Sequence, residues 1–569
     1  MRSFRIGFPL LALALLLTGC ASAAHGPAHA PPVPSDGLAE RVDALMAEYD
    51  RTDSPGASVL VFRGEETLLS RGYGMADLEF DAPITPRTIF HVASVSKQFT
   101  AFAIAKLAAE GRLSLDDDVR RHIPELPDFG EPLTLRHLLH HTSGLRDQWN
   151  LWVLAGGRMD DVIRQEDLFR LVRQQRELNF PTGAEHLYSN SGYMLAAEVV
   201  KRATGQPFGE WLHDNVLAPL GMEDTQVYDD HERLVPGRAY SYRGSVDDGF
   251  RKAVLSYANS GATSLFTTTE DLALWLRNYG HTRVGGAEVG RMMRTRGILE
   301  GGDTIPYALG VTLETHRGLE MLQHGGADAG YRSFVLYYPG LDAGVVVLSN
   351  LASFNPGGTA REVAEIFFAG EMEPAEAERA PASAAGQAVD PAVLAAYTGD
   401  WRLEEAGTRM SVERQGARLF VRAAQTGRVE LLSLSDSTFR VGDTGAEIAF
   451  HREGGDRADR AVLLQNGARS EMRRMRPHAP GPAELEAYVG RYYSPELETV
   501  YTVVVEGDRL IARHRRHGDV VLTPEEPDAF GSDQWFFGNV AFERDERGAV
   551  TGMRVSSGRV RNLWIEKLD

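Results

Sequence analysis

Ser94 and Lys97, three residues apart in the run Ser94-Val95-Ser96-Lys97, are the pair in this sequence best suited to covalent chemistry. A serine hydroxyl attacks a carbonyl only when a neighbour takes its proton, and a lysine can do that once burial has lowered its pKa. Arginine stays protonated and cannot. The distinction matters in a chain with 60 lysines and arginines together, where only Lys97, Lys106, Lys201, Lys252 and Lys567 are lysine. Lys97 alone has a serine three positions earlier. Phe99, Phe102, Ile104, Ala105 and Leu107 then read as a buried helix over Gln98 to Glu110, closed by Gly111, so both side chains share one helical face. By itself the quartet fits equally a capping serine ahead of a surface lysine.

Two further groups bear on that choice. Tyr188-Ser189-Asn190 follows the turn Pro181-Thr182-Gly183 and precedes a helical run from Tyr193 to Ala203, which offers a phenol able to shuttle protons. His324-Gly325-Gly326 lies after the strand-like Leu319 to Gln323, and its glycines let a backbone edge come close to a substrate. Tyr257-Ala258-Asn259 and His316-Arg317-Gly318 repeat the same spacings. The first lacks a following helix, and the second reads as a hairpin turn, so both are set aside. His140 and His141 are adjacent and point apart, with no third ligand at metal spacing, so no metal and no cofactor is expected.

Globular α/β composition runs from Gly37 to Gly370, with short apolar strands such as Ala57 to Phe62 and Gly344 to Leu348. A stretch rich in Glu, Ala and Pro from Glu371 to Asp390 reads as a linker. Beyond it the chain repeats itself. Leu394-Ala395-Ala396-Tyr397-Thr398-Gly399 returns as Leu485-Glu486-Ala487-Tyr488-Val489-Gly490, Gly416-Ala417-Arg418-Leu419 returns as Gly507-Asp508-Arg509-Leu510, and Phe439 returns as Phe530. Alternating apolar residues in each copy predict two small antiparallel β-barrels or sandwiches, separated by Pro477, Pro480 and Pro482. At the other end, Arg2 and Arg5 precede an apolar run from Ile6 to Leu17, too short to span a bilayer and typical of a signal peptide. It ends at Leu17-Thr18-Gly19-Cys20, which resembles the lipobox of bacterial lipoproteins, so Cys20, the sole cysteine, is expected to be lipidated.

The three motifs, together with Leu135-Arg136-His137-Leu138-Leu139-His140-His141-Thr142-Ser143-Gly144-Leu145, Thr268-Thr269-Glu270-Asp271-Leu272 and Tyr307-Ala308-Leu309-Gly310, resemble the family of class C β-lactamases, DD-peptidases, D-aminopeptidases and related serine esterases. The resemblance spans Leu45 to Phe368. It implies an antiparallel sheet flanked by helices with a helical subdomain, and a covalent acyl-enzyme. On that pattern Ser94 is the nucleophile, and Lys97 with Tyr188 forms a coupled base. Asn190 and His324-Gly325-Gly326 bind the substrate, and the backbone N–H groups of Ser94 and Ala327 form an oxyanion hole. One departure stands out: the third motif is His-Gly-Gly where β-lactamases carry Lys-Thr-Gly or Lys-Ser-Gly. A neutral histidine lacks the fixed charge that captures a β-lactam carboxylate, so the pattern looks more like the D-aminopeptidases and esterases. Those D-aminopeptidases also carry two C-terminal β-domains. No loop of the repeats is identifiable as reaching the pocket.

The expected order is therefore a signal peptide (1–19), a lipidated tether (20–36), a catalytic domain (37–370), a linker (371–390), a first β-domain (391–476), a short linker (477–484) and a second β-domain (485–569). The expected function is hydrolysis of an ester or amide, with D-amino-acid amides among the candidates, by a protein held at the cell envelope. The alternatives are a lipid-anchored penicillin-recognising or cell-wall-binding scaffold, and a class C-like β-lactamase. A net charge of -19 argues against nucleic acid as a partner. Trp149, Trp152, Met159 and Phe169, in two predicted helices, read as packing rather than as cleft lining, and Arg513-His514-Arg515-Arg516-His517 reads as a solvated hairpin.

Overall fold

The computed structural model describes residues 35–374 and 389–568, apart from 404–408, 424–426, 443–445, 453–454, 466–467 and 477. The signal peptide, Cys20 and most of the Glu/Ala/Pro linker lie outside them.

Six antiparallel strands organise the first body: β1 (Ala57–Arg63), β2 (Glu66–Tyr73), β3 (Thr312–His316), β4 (Leu319–Asp328), β5 (Tyr331–Tyr338) and β6 (Ala343–Ser349), in the order β3-β4-β5-β6-β1-β2. Both faces are covered, and the alternation of side chains sorts them. Val59, Val61, Leu336, Val345 and Val347 pack with Val42 and Met46 of α1 (Ser35–Met46) and with Val363 and Phe368 of the helix Pro356–Phe368. Leu60, Phe62, Val335, Tyr337, Val346 and Leu348 face the main core with α2 (Ser96–Ala109), α3 (Asn190–Thr204) and α4 (Thr269–His281). Because α2 is apolar on nearly all sides, with Phe99, Phe102, Ile104 and Leu107 all buried, it is a central helix and not a surface one. The lysine in its first turn is thereby drawn out of water.

The repeated modules are two closed eight-stranded barrels. Tyr397 and its counterpart Tyr488 are buried in equivalent aromatic clusters, the first against Phe439 and Phe450, the second against Phe530 and Phe542. The fold is thus the expected one, an antiparallel sheet flanked by helices followed by two small all-β barrels.

Candidate active site

Ser94 sits in a tight turn just before α2, and Ala93 beside it holds φ at +46°. A residue with a Cβ in that left-handed region is strained by about 1–2 kcal/mol. His91 supports it, its Nδ1 accepting from the Ala93 N–H at 3.3 Å. The serine side chain caps no helix. It lines a cleft of about 550 Å³ instead, together with Trp149, Tyr188, Asn190, Thr263 and the third-motif strand.

Lys97 is fully buried, and its Nζ has three neighbours: Ser94 Oγ at 2.9 Å, Asn190 Oδ1 at 2.8 Å and the Ala262 carbonyl at 2.8 Å. Two of the three are obligate acceptors. The Asn190 amide is held in that orientation because its Nδ2 and its backbone N–H both donate to Asp147 Oδ2, at 2.7 and 2.8 Å. A neutral amine has two N–H donors and one lone pair, so it fits by donating to Asn190 and Ala262 and accepting from the serine hydroxyl. Burial supplies that neutral form by pushing the lysine down to about 7, against the pull of Asp328 and Asp147 and with the help of Arg559.

The Tyr188 ring lies 4.8 Å from Lys97 Nζ and 4.1 Å from the ring of His141. Burial raises its phenol above the usual range; the neighbouring Ser94 and Arg559 only partly offset this. The two hydroxyls are close without hydrogen-bond geometry, and the Tyr188 oxygen has no partner among the described residues. A buried, unpartnered phenol beside Ser94 leaves room for another atom to complete it. His141 supports this motif: its Nδ1 accepts from the Ser189 N–H at 3.1 Å.

The sequence reading placed the third motif after a strand; it lies within one. Gly325 pairs with Phe334, Gly326 with Ser333 and Ala327 with Arg332 along β4 and β5. A Cβ on Gly326 would meet the Val92 carbonyl at 2.3 Å and the Ser94 nitrogen at 3.0 Å, so the glycine permits the strand to press against the Ser94 turn. His324 donates from Nδ1 to the Gly325 carbonyl at 2.7 Å and accepts at Nε2 from the Tyr307 hydroxyl at 3.0 Å. Burial lowers it to about 4, so no positive charge resides there. Of the two decoys, Tyr257 stacks on Trp149 in the core at 4.8 Å, and His316 ends β3 at a hairpin.

Sequence reasoning missed several residues of the site. Asp328 follows the motif on β4 and lines the cleft; Thr263 donates to one of its oxygens, and burial raises its carboxyl to about 6. Asp147 anchors Asn190. Arg559 comes from the second barrel and supplies the loop that the sequence does not identify. The hairpin of Val550–Ser557 and Val560–Lys567 turns through Gly558-Arg559 alone, and Arg559 lines the cleft with its guanidinium 4.7 Å from the centroid of the Tyr188 ring. Trp149 also lines the cleft, whereas Trp152, Met159 and Phe169 pack against the core. The basic cluster is docked in part, with Arg515 exposed and Arg513 paired within its own barrel. His517 donates to the Val153 carbonyl, Arg516 pairs with Asp161, and His514 bonds Thr499 at the docked face.

Comparison with known proteins agrees with this arrangement. Residues 38–368 match the family model described as beta-lactamase, and residues 474–567 match one described as a domain of unknown function. A D-aminopeptidase of Gluconobacter oxydans is 31% identical over 317 residues, 56% of this chain and 60% of that relative. A D-aminopeptidase of Brucella anthropi is 26% identical over 534 residues, 90% of this chain and 96% of that protein. Among solved structures, an octameric penicillin-binding protein homologue from Pyrococcus abyssi shares the fold, with a TM-score of 0.53 at 21% identity, over 86% of this chain and 100% of that one.

Proposed function

The chain belongs to the beta-lactamase family and is a serine hydrolase, and from that membership we propose that it cleaves an amide or ester of a D-amino acid through an acyl-enzyme on Ser94. The observation that carries the reading is the Lys97 amine, whose two obligate acceptors leave its lone pair to the Ser94 hydroxyl.

In this mechanism Lys97 Nζ takes the proton from Ser94 Oγ as the oxygen bonds to the scissile carbonyl carbon. Negative charge moves to the carbonyl oxygen, where the backbone N–H groups of Ser94 and Ala327 receive it. The proton passes by way of the Tyr188 hydroxyl to the leaving nitrogen or oxygen, and the bond to that atom breaks. A water then attacks the acyl ester, its proton goes to the same Lys97–Tyr188 pair, and Ser94 Oγ departs with a proton restored. Tyr188 need not ionise to act as a relay, which is consistent with its raised pKa.

The D-amino-acid preference draws on the relatives named D-aminopeptidase, and Asp328 supports a free amino group on the substrate, because its carboxylate gives an ammonium an ionic partner at the cleft wall. The neutral His324 favours this reading over β-lactam capture. We place the enzyme at the cell envelope, anchored through lipid on Cys20, because that cysteine closes the lipobox-like run.

Intact mass after fluorophosphonate treatment, beside hydrolysis of D-alaninamide and L-alaninamide, tests the chemistry. The expected result is one adduct that vanishes in Ser94→Ala, with the D-amide turned over faster; turnover surviving in the alanine variant defeats the reading. Detergent-phase partitioning of the full chain, lost in Cys20→Ala, tests the anchor.

A further inference from the structure

The third motif lacks a cation, and the Lys97 donors are directed at protein acceptors, yet the cleft does hold a guanidinium whose N–H groups bond no described residue. Arg559 occupies the second position of a two-residue β-turn, the shortest hairpin connection, with Gly558 at φ +51°. The catalytic domain clamps the tip from several directions. The Asp147 backbone N–H and the Asn179 side chain donate to the Arg559 carbonyl at 3.2 and 3.0 Å, Asn150 donates to the Ser557 carbonyl at 3.2 Å, and Arg146 donates to the Arg561 carbonyl at 3.3 Å. All of these involve backbone atoms of the hairpin, so its arginine side chain is positioned without being consumed.

Its nearest charge, Asp147, is an ion-pair partner at 3.7 Å, outside hydrogen-bond range. Asp147 directs its oxygens at the Trp149 N–H and at Asn190. The other charged groups of the cleft are Lys97, Asp328 and Arg332, and Arg332 already donates to the Tyr331 carbonyl at 2.7 Å. The Arg559 side chain is 43% exposed and lines the cleft beside the Tyr188 ring, and in the proposed mechanism Tyr188 protonates the departing atom.

Resting on the acyl-enzyme reading above, we infer that Arg559 is a substrate-binding residue donated by the second barrel, which receives a carboxylate on the leaving-group side of the scissile bond. The substrate class is then a short peptide with a free C-terminal carboxylate one residue beyond the D-residue, its ammonium at Asp328 and its carboxylate at Arg559. A planar fork of N–H donors suits a carboxylate in two-point contact.

The test measures protection of Ser94 from fluorophosphonate labelling by N-acetylglycine and by its neutral counterpart N-acetylglycinamide, in the full chain and in Arg559→Gln and Arg559→Lys. N-acetylglycine is expected to half-protect the native protein at about 10-fold lower concentration or better, the range for a hydrogen bond to a charged group. That preference disappears in Arg559→Gln and returns only in part in Arg559→Lys, which keeps the charge but not the fork and so separates lost charge from a disturbed hairpin. Equal protection in the native protein, or a preference that survives in Arg559→Gln, overturns the assignment. Absence of Ser94 labelling in the native protein defeats the acyl-enzyme reading and this inference with it.

Discussion

The two barrels descend from one repeated module, yet only the second has merged with the catalytic body. Its core residues, among them Tyr492, Tyr501, Phe537 and Ile565, belong to one continuous cluster with the helices of the first body, while the first barrel encloses a separate core around Trp401, Leu419 and Phe450. Equivalent positions make the contrast concrete. Tyr501 donates to the Leu154 carbonyl at 2.8 Å across the interface; its counterpart Met410 has nothing to donate. Where the second barrel turns through Gly558-Arg559 in the cleft, the first has Asn466-Gly467 in its sequence. Among the described residues, ion pairs from the first barrel to another body run to the second barrel, through Arg402 to Glu525 and Arg473 to Glu526. The two copies thus differ at the docked face, Tyr501 against Met410, while the Tyr397/Tyr488, Phe439/Phe530 and Phe450/Phe542 clusters keep the same aromatic packing.

The sharpest way to break this comparison is at the buried ion pairs. Arg146 and Glu496, 2.7 Å apart, are 0% and 3% exposed across the catalytic interface, and burial already raises the Glu496 carboxyl. Arg146→Met strands that carboxylate and is expected to cost about 3–5 kcal/mol, seen as a large fall in Tm with loss of turnover as the hairpin loosens. Arg402→Met at the barrel–barrel contact leaves Glu525 with Arg409 at 3.9 Å. Its expected cost is smaller, about 1–2 kcal/mol, and turnover persists. Equal loss of activity in both would mean that the first barrel also holds the site together.

One step down is Tyr501→Phe, which removes a single neutral hydrogen bond and leaves the Leu154 carbonyl without its partner. About 1 kcal/mol is expected from chemical denaturation, whereas Met410→Leu in the first barrel, a swap of similar volume at the equivalent position, should cost less.

Much of the candidate site was legible in the sequence because its motifs are local. Ser94 and Lys97 share one helical turn, and Tyr188 with Asn190 flanks one helix start. The duplicated barrels were legible through the spacing of Tyr397, Tyr488, Phe439 and Phe530. What stayed hidden depends on docking. Arg146 and Arg561 are 415 positions apart, and no local pattern marks Gly558-Arg559 as different from any other tight turn. The same blindness explains Arg516 and His517: charge that reads as solvated is matched by Asp161 and by the Val153 carbonyl of another domain. Asp328 was legible as a residue but not as a cleft group, because the His-Gly-Gly run was taken to end the strand that in fact continues through it.

The finest distinction between the barrels lies in a proton. If Lys97 is the base, kcat/KM climbs with pH through about 7 as the ammonium deprotonates. Arg559 is a fixed positive charge that disfavours the ammonium, so Arg559→Gln raises the lysine pKa and moves this acid limb to higher pH. Asp328 favours the ammonium, so Asp328→Asn moves the limb the opposite way, provided a neutral ester substrate is used to keep ammonium binding out of the measurement. Arg402→Met, whose charge lies between the barrels, leaves the limb in place. Opposite shifts in the two cleft variants and none in the third would trace an electrostatic influence on the nucleophile's base to the tip of one barrel. An acid limb indifferent to Arg559 would reduce that arginine to a contact with substrate alone, and a rate that falls as pH rises through 7 would require the charged lysine and transfer the base role to Tyr188.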